Sequence, residues 1–363
     1  MKRSKCKLLH NAVAAMLLCG TLGFSACDAG DYTLTFSDDV KNVILLIGDG
    51  MGENHIQNTL TYFDLSAPQF LSDRCGSLAT HSKNKLITDS AAAGTALATG
   101  QKAKNRTVAY ADGEHLTQIT TLAKNASKRV GVITTDYLYG ATPAAFSAHA
   151  ESRYDRATIA ASQAVSNVDL LIGEEEENAA YHNDFHTLYE DNGYTYVTDE
   201  LSLAQYIDED KLVATLPNVR SQYNTGNEDD FQLQEMAQFA VEFLENDNGF
   251  FLMIESAHID KFSHKNELIP ALCEVRSLFD TVDFLYDYID DGKTVLLITA
   301  DHETGMLKKA ANKAEISNAL YGWGGHTARD VPFFIKNATF TYSGAFSQQN
   351  TVVFDICKQI LGV

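Results

Sequence analysis

Long apolar runs alternate with amphipathic stretches along this chain, and the two patterns predict different elements. Residues 42–47 (NVILLI) form an almost continuous apolar run that ends at Gly48. Similar runs occupy residues 129–134, 250–254, 294–299 and 331–335. Such runs are typical of strands that are buried on both faces of a parallel sheet. Helical patterns lie between them, at 116–127 and 233–244 for example. The alternation predicts an α/β fold, with a largely parallel central sheet flanked by helices on both faces.

Length and composition allow one large α/β domain or two ordinary ones. The chain has 363 residues, 45% of them hydrophobic, which is enough to bury an extensive core. No low-complexity linker divides it, so we assign one catalytic domain to residues 39–363. Residues 172–232 combine an acidic run with several aromatic residues and show little periodicity. We interpret them as a surface insertion or lid within that domain.

The first residues have the pattern of an export signal. A basic start with Lys2 and Arg3 is followed by a largely apolar run at 12–24 and by small residues before Cys27. We therefore expect residues 1–26 to be a signal peptide and Cys27 to be lipidated, with 27–38 as an acidic tether. Ordinary cleavage to a soluble periplasmic form is the alternative. The expected location is the periplasm or the outer membrane or cell surface of a bacterium, with membrane contact only through the lipid on Cys27.

Charge and cysteine content restrict the partners. The formal net charge of −20 and the lack of a basic patch argue against nucleic acid as a partner. An anionic substrate would need local positive charge, which bound cations could supply. Without the cysteines up to Cys27, Cys75, Cys273 and Cys357 remain, which permits at most one internal disulfide. No CxxC pair is present, so a cysteine-based zinc site is not expected.

Polar motifs follow several of the predicted strands, where α/β proteins place their active sites. Asp49 lies between glycines in IGDGMG, directly after the first run, although Asp-Gly is also a common turn. Ser90 begins a small-residue segment, TDSAAAGTALATG, and would lie at a helix N-terminus that favours an anion. A plain helix cap is the other interpretation of this serine.

A second set of motifs has the residue types of a divalent-metal site. Glu255, Asp260 and His264 follow the run at 250–254, and the last two are one helical turn apart. Asp301 and His302 follow the run at 294–299, and His326 follows two glycines. Each group alone could be a polar turn, but carboxylates and imidazoles together suit zinc or magnesium.

Together with the segment ATPAAFSAHAESR at 141–153, these motifs resemble the alkaline phosphatase family, in the same order and over roughly residues 40–336. The resemblance implies a phosphomonoesterase that forms a phosphoserine on Ser90, with Arg153 gripping the phosphate. It implies an alkaline-phosphatase-like fold with the metal site at the carboxyl ends of strands. The implied ligands are Asp260, His264 and His326 for one zinc, Asp49, Asp301 and His302 for a second zinc beside Ser90, and Asp49, Thr142 and Glu255 for magnesium.

Gly140 departs from the family pattern, because members carry an Asp or His two residues before the threonine that corresponds to Thr142. We therefore expect the third metal site to be weak, more hydrated or filled by a different ion. Lys261 resembles a phosphate-binding lysine of some members. Its usual charge partner would be the missing acid, so we expect it to be freer to meet phosphate.

Two other functions are compatible with parts of the pattern. A phosphodiesterase or sulfatase of the same superfamily would share the scaffold, but Arg153 favours monoesters and Ser90 does not fit the cysteine motif of sulfatases. A non-catalytic lipoprotein that captures metal or phosphate would keep the ligands but would not need Ser90. The resemblance also implies that a homodimer is one expected assembly.

Overall fold

The structure, a computed structural model, describes residues 32–175, 179–217, 219–227, 231–342 and 347–363. The expected signal peptide and the expected lipidation site, Cys27, lie outside these residues. Within them, no helix has both the length and the apolar character that crossing a membrane requires.

The described residues contain both strands and helices. The strands are β1 (Tyr32–Phe36), β2 (Asn42–Gly48), β3 (Arg74–Ala79), β4 (Tyr110–Ala111), β5 (Glu114–His115), β6 (Arg129–Tyr137), β7 (Leu170–Glu174), β8 (Thr195–Val197), β9 (Leu212–Leu216), β10 (Phe250–Ser256), β11 (Thr294–Thr299), β12 (Glu303–Thr304), β13 (His326–Thr327), β14 (Val331–Lys336), β15 (Ala338–Tyr342) and β16 (Gln348–Gln349). The helices are α1 (Glu53–Phe63), α2 (Ser90–Thr99), α3 (Ile119–Asn125), α4 (Ala141–Ser147), α5 (Arg156–Ala164), α6 (Ala179–Glu190), α7 (Glu200–Leu203), α8 (Gln222–Thr225), α9 (Leu233–Leu244), α10 (His258–His264), α11 (Leu268–Tyr288) and α12 (Val352–Leu361).

Among the described residues, one mixed sheet of ten strands has the order β16-β3-β14-β11-β2-β10-β6-β7-β9-β8. The strands from β11 to β8 are parallel to one another, and β14 runs antiparallel to both β11 and β3. Every residue of β2, β10 and β11 is buried, because these apolar strands lie in the middle of the sheet. The predicted α/β class with a largely parallel sheet is confirmed.

The apolar runs located the strands well. The predicted strands at 42–47, 129–134, 250–254, 294–299 and 331–335 correspond to β2, β6, β10, β11 and β14. The helix expected at 233–244 has those bounds in α9, whereas the one expected at 116–127 is the shorter α3.

Two interpretations of the chain's organisation are wrong. Residues 172–232 are not a surface insertion, because β8, β9 and most of β7 lie in this segment and complete one side of the main sheet. The expected tether at 27–38 contains β1, which pairs antiparallel with β15. These strands have only three to five residues each, too few to show a clear period in the sequence.

Helices α2 and α4 pack closely through small side chains. All ten residues of α2 (SAAAGTALAT) are buried, and Gly94 faces α4. A Cβ atom placed on Gly94 would lie 3.1 Å from the Cβ of Ala145 and 3.5 Å from the Cα of Thr142. Because the first residue of α2 is Ser90, this contact fixes two parts of the candidate site relative to each other.

The three cysteines of the described residues are free thiols. Burial raises the pKa of Cys75 and of Cys273 to about 12, and it also raises the pKa of Cys357. Since the thiolate is the reactive form, burial makes these side chains poor partners for disulfide exchange.

Candidate active site

Three neighbouring parallel strands bring the predicted motifs to one edge of the sheet. In the register of the sheet, Gly48 of β2 lies beside Ser256 of β10, and Ile47 lies beside Thr299 of β11. Asp49 follows β2 directly, and Asp301 comes two residues after the end of β11. The carboxyl ends of these strands therefore bring Asp49 and Asp301 together, although the two residues are 252 positions apart along the chain.

Asp260, His264 and His326 form a first group, in which one ligand atom from each lies within 4.8 Å of the others. Helix α10 places Asp260 and His264 one turn apart, with Nε2 of His264 3.3 Å from Oδ2 of Asp260. Nε2 of His326 lies 3.6 Å from the other oxygen of Asp260 and 3.0 Å from Nε2 of His264. One carboxylate and two imidazoles at this spacing could hold a zinc ion.

Asp49, Asp301 and His302 form a second group, all of them buried. Nε2 of His302 lies 3.1 Å from Oδ2 of Asp301 and 3.5 Å from Oδ1 of Asp49. The backbone N–H groups of Gly50 and His302 donate to Oδ1 of Asp301, at 3.1 and 2.8 Å. Oδ1 of Asp49 and Oδ2 of Asp301 are buried without a hydrogen-bond partner among the described residues. Buried carboxylate oxygens without donors fit a cation between them.

The three histidines present the same ring nitrogen to the site. Nδ1 of His264 donates to the carbonyl of Gly324, and Nδ1 of His326 donates to the carbonyl of Thr88, both at 2.9 Å. Nδ1 of His302 lies 3.2 Å from the hydroxyl of Thr304, which itself donates to Oδ1 of Asp260 at 2.5 Å. With each Nδ1 occupied, the neutral form of each imidazole has its lone pair on the Nε2 that points towards the group, as a metal ligand requires.

Electrostatics of the two groups also favour a cation. Burial, and after it the charges of Asp301 and Asp260, raise the pKa of Asp49 well above its usual range. Burial and the charge of Asp260 raise the pKa of Asp301 to about 6. A hydrogen bond to Asp260 raises the pKa of His264 to about 9, even though burial opposes it. Carboxylates crowded together out of water resist ionisation, and a divalent ion removes that resistance.

A third set of oxygen atoms lies beside the second group. Burial and the charge of Asp136 raise the pKa of Glu255 to about 8, while the hydroxyl of Thr134 donates a hydrogen bond to its carboxylate. Thr142 is 1% exposed, and its Oγ1 has no hydrogen-bond partner of good geometry among the described residues. These hard oxygen donors suit magnesium.

Ser90 lies where the sequence predicted it, at the first residue of α2. The preceding residue, Asp89, is the cap, because its side chain accepts from the backbone N–H of Ala92. Ser90 is thus not needed as the cap, and its Oγ lies 3.2 Å from Nε2 of His302. The rings of His302 and His326 stack with centroids 3.5 Å apart, so the two groups meet beside this hydroxyl.

Arg153 approaches the same end of α2 from the segment after α4. Its Nη1 lies 3.1 Å from Oδ2 of Asp89, and the backbone N–H of Arg106 also donates to that carboxylate. Although burial acts in the other direction, the carboxylate of Asp89 raises the pKa of Arg153. The guanidinium is therefore held charged and oriented near Ser90.

The prediction that Lys261 lacks a charge partner is wrong. Its Nζ lies 2.5 Å from Oδ1 of Asp136, a residue at the end of β6. Asp136 was not predicted because family members carry the acid at position 140, four residues further on. Thr304, which connects Asp260 with His302, was not predicted either. Asp136 could have been found as a carboxylate that follows a predicted strand, whereas no local pattern distinguishes Thr304.

The fold and the convergence of carboxylates, imidazoles and a serine at strand ends define a class of candidate metal-dependent hydrolases. A family model for alkaline phosphatase matches residues 40–350. Alkaline phosphatase 4 of Bacillus subtilis is 30% identical over 333 residues, which cover 85% of this chain and 72% of the relative. The repressible alkaline phosphatase of Saccharomyces cerevisiae is 28% identical and is covered to 62%, with 86% of this chain matched.

Solved structures agree with the sequence matches. The alkaline phosphatase of the Antarctic bacterium TAB5 has a TM-score of 0.78 and 27% identity, with 89% of this chain and 98% of that chain covered. A point mutant of the TAB5 enzyme with magnesium bound in its M3 site has a TM-score of 0.76, 26% identity and the same coverage. The chain belongs to the alkaline phosphatase family, whose members are metal-dependent phosphatases that act on small phosphate-containing molecules.

Proposed function

We propose that this chain hydrolyses phosphate monoesters through a phosphoserine on Ser90, with the support of two zinc ions and a third, magnesium-type site. The observation that carries the proposal is the position of Ser90. Its Oγ lies at the start of α2, 3.2 Å from a histidine of one candidate metal group and beside Arg153, which is oriented by Asp89. A binding protein would not need a hydroxyl at this point.

The donor sets fit the proposed ions. Asp260, His264 and His326 would hold one zinc, and Asp49, Asp301 and His302 would hold the other, with the partnerless oxygens of Asp49 and Asp301 as the best evidence of fit. Asp49, Thr142 and Glu255 would hold the third ion. When bound, such ions lower the charge repulsion at a phosphate dianion and stabilise the alkoxide forms of the attacking and leaving oxygens.

The protein residues would then act in two displacements. In the first, Oγ of Ser90 gives its proton to solvent hydroxide and attacks phosphorus, so that an Oγ–P bond forms, the bond to the leaving-group oxygen breaks, and the departing alkoxide takes a proton from water. The N-terminus of α2 and the guanidinium of Arg153 hold the non-bridging oxygens, and arginine can contact two of them in parallel. In the second, water attacks phosphorus and gives up a proton, the Oγ–P bond breaks, inorganic phosphate is released, and Oγ of Ser90 recovers a proton. Two in-line displacements give net retention at phosphorus.

The test is turnover of p-nitrophenyl phosphate and bis(p-nitrophenyl) phosphate at alkaline pH. The protein is first treated with a chelator and then given zinc alone or zinc with magnesium. We expect the monoester to be hydrolysed much faster than the diester, with activity restored only when zinc returns. Ser90→Ala should keep its zinc content but lose turnover by several orders of magnitude. Full activity in Ser90→Ala, or a preference for the diester, would contradict the proposal.

We further propose export and lipidation at Cys27, on the basis of the sequence of residues 1–27. Metabolic labelling with a radioactive fatty acid in a bacterial host tests this directly. Wild-type protein should be labelled and Cys27→Ser should not. Equal labelling of both would contradict lipidation at this residue.

A further inference from the structure

Gly140 has no side chain, and the carboxylate of Asp136 occupies the space that a side chain there would need. A Cβ atom on Gly140 would lie 2.8 Å from Oδ2 of Asp136 and 2.9 Å from the carbonyl oxygen of Tyr137. The first distance means that any larger residue at 140 would have to displace the Asp136 side chain. The absence of a side chain at 140 and the position of Asp136 are therefore linked.

Asp136 is fixed through one of its two oxygens only. Oδ1 accepts from the backbone N–H of Tyr137 at 2.7 Å and from Nζ of Lys261 at 2.5 Å. The backbone N–H of Asp136 donates to Oγ1 of Thr134 at 2.9 Å. Oδ2 has no hydrogen-bond partner among the described residues, so one oxygen of a well-held carboxylate is available.

The same contacts connect Asp136 with the third candidate metal site. The hydroxyl of Thr134 accepts from the backbone N–H of Asp136 and donates to the carboxylate of Glu255, so this side chain connects the backbone at Asp136 with Glu255. Thr142, whose buried Oγ1 has no well-formed hydrogen bond, lies beside Glu255. Lys261 lies in the electrostatic field of both Asp136 and Glu255.

The protein oxygens at this site are too few for a magnesium ion without water. Magnesium takes six oxygen ligands and usually keeps several waters, which need hydrogen-bond acceptors of their own. Asp49, Glu255 and Thr142 would supply three ligand positions if each gave one oxygen. The available Oδ2 of Asp136 is an acceptor of the right charge beside them.

We propose that Asp136 is a positioning residue for the third metal site, in which Oδ2 accepts from the water of a bound magnesium ion while Oδ1 holds Lys261. This inference rests on the proposed function. The carboxylate of Asp136 in β6 would thus supply the acidic group that Gly140 lacks. Lys261 would then act on the metal site rather than as a free phosphate ligand.

The inference makes a relocation test possible. The full chain, with its zinc retained, is titrated with magnesium by calorimetry, and zinc and magnesium contents are measured by mass spectrometry. Asp136→Ala should weaken magnesium binding by about tenfold or more with zinc content unchanged, in line with the usual effect of removing an outer partner of a metal site. Gly140→Asp alone should also weaken it, because the new side chain meets Oδ2 of Asp136.

The double variant Asp136→Ala with Gly140→Asp should recover a large part of the affinity and bind magnesium at least threefold more tightly than Asp136→Ala. Full recovery is not expected, since the carbonyl of Tyr137 must still move slightly. Asp169→Ala is the matched control. Asp169 forms an ion pair of similar length, with 2.7 Å between its Oδ1 and Nζ of Lys124. Its Oδ2 accepts from the backbone N–H of Val130, at the opposite end of β6 from Asp136. This control should lower stability but leave magnesium affinity unchanged.

Either of two results with the variants would overturn the inference. One is magnesium affinity of wild-type strength in Asp136→Ala, and the other is a double variant no better than Asp136→Ala. If the wild-type protein binds zinc and turns over substrate but binds no magnesium, the third site fails, and this inference fails with it, while the two-zinc function stands. If zinc is not bound or turnover is absent, the proposed function itself fails.

Discussion

The contact between α2 and α4 can be tested by moving one methyl group across it. Gly94→Ala places a Cβ 3.1 Å from the Cβ of Ala145, where a normal contact between such carbons is about 3.5–4 Å. Neither atom belongs to a flexible side chain, so relief requires a shift of one helix. That shift would move Ser90 relative to Thr142, since each lies in one of the two helices.

Two opposing effects decide the size of the change. Alanine is favoured over glycine inside a helix by about 1 kcal/mol. Overpacking of a filled core costs about 1–3 kcal/mol, and about 2 kcal/mol is reasonable for one methyl group against a fixed neighbour. We therefore expect Gly94→Ala to lower the free energy of unfolding by about 1 kcal/mol. A displacement well under 1 Å at a catalytic group should lower kcat/KM by roughly tenfold.

The assay combines urea unfolding with kcat/KM for p-nitrophenyl phosphate in a double-mutant cycle. Ala145→Gly alone should be less stable because of its lower helix propensity. The double variant Gly94→Ala with Ala145→Gly restores the total volume between the helices. Its free energy of unfolding should therefore exceed the value predicted from the two single changes by a coupling energy of about 2 kcal/mol, and its kcat/KM should also be higher than that sum predicts. If Gly94→Ala gains stability and keeps full activity, the helices have free space between them and the reasoning is refuted.

Two further predictions concern the metal groups. The hydroxyl of Thr304 connects Asp260 with His302, and Thr304→Val keeps the shape of the side chain but removes this hydroxyl. We expect zinc affinity, measured by titration, to fall by about 10- to 100-fold, with little change in the circular dichroism spectrum. Unchanged zinc affinity would contradict the role given to this hydroxyl. In chelator-treated protein, the pKa of Glu255 is raised to about 8 and that of His264 to about 9. The folded state then holds more protons than the unfolded chain between about pH 5 and pH 9, so stability should fall as the pH rises through this range. Melting curves at pH 5.5 and pH 9 should show a lower midpoint at the higher pH, and bound zinc should reduce the difference; a midpoint that rises with pH in the metal-free protein would contradict the sign.

Much of this fold could be predicted because its central strands are unusually apolar. Runs such as NVILLI in β2 are buried on both faces, and long buried strands carry a strong signal in the sequence. The motifs at Asp49, Glu255 and Asp301 were recognisable for a related reason, since each is positioned by one of these strands. Chain position relative to a strong element was enough to predict their convergence.

Other features depend on contacts that no local pattern encodes. Segment 172–232 was misinterpreted because β7, β8 and β9 are short and lie towards one edge of the sheet. The pairing of Lys261 with Asp136 joins residues 125 positions apart, and it depends on the missing side chain at Gly140. The number of cysteines could not predict that Cys75, Cys273 and Cys357 are free thiols. It limits how many disulfides can form, but it does not say how far apart the sulfur atoms lie.

The order of the ligands along the chain has a consequence for biosynthesis. Asp49 directly follows the second strand, whereas His326 lies in β13, which pairs with β12. A growing chain exposes the carboxylates of the first strands long before the last imidazole exists. Both metal groups can be complete only when β10, β11 and the β12–β13 pair have assembled around β2. Uptake of a full complement of metal would thus come late in folding and would distinguish molecules whose central strands have assembled from those in which they have not.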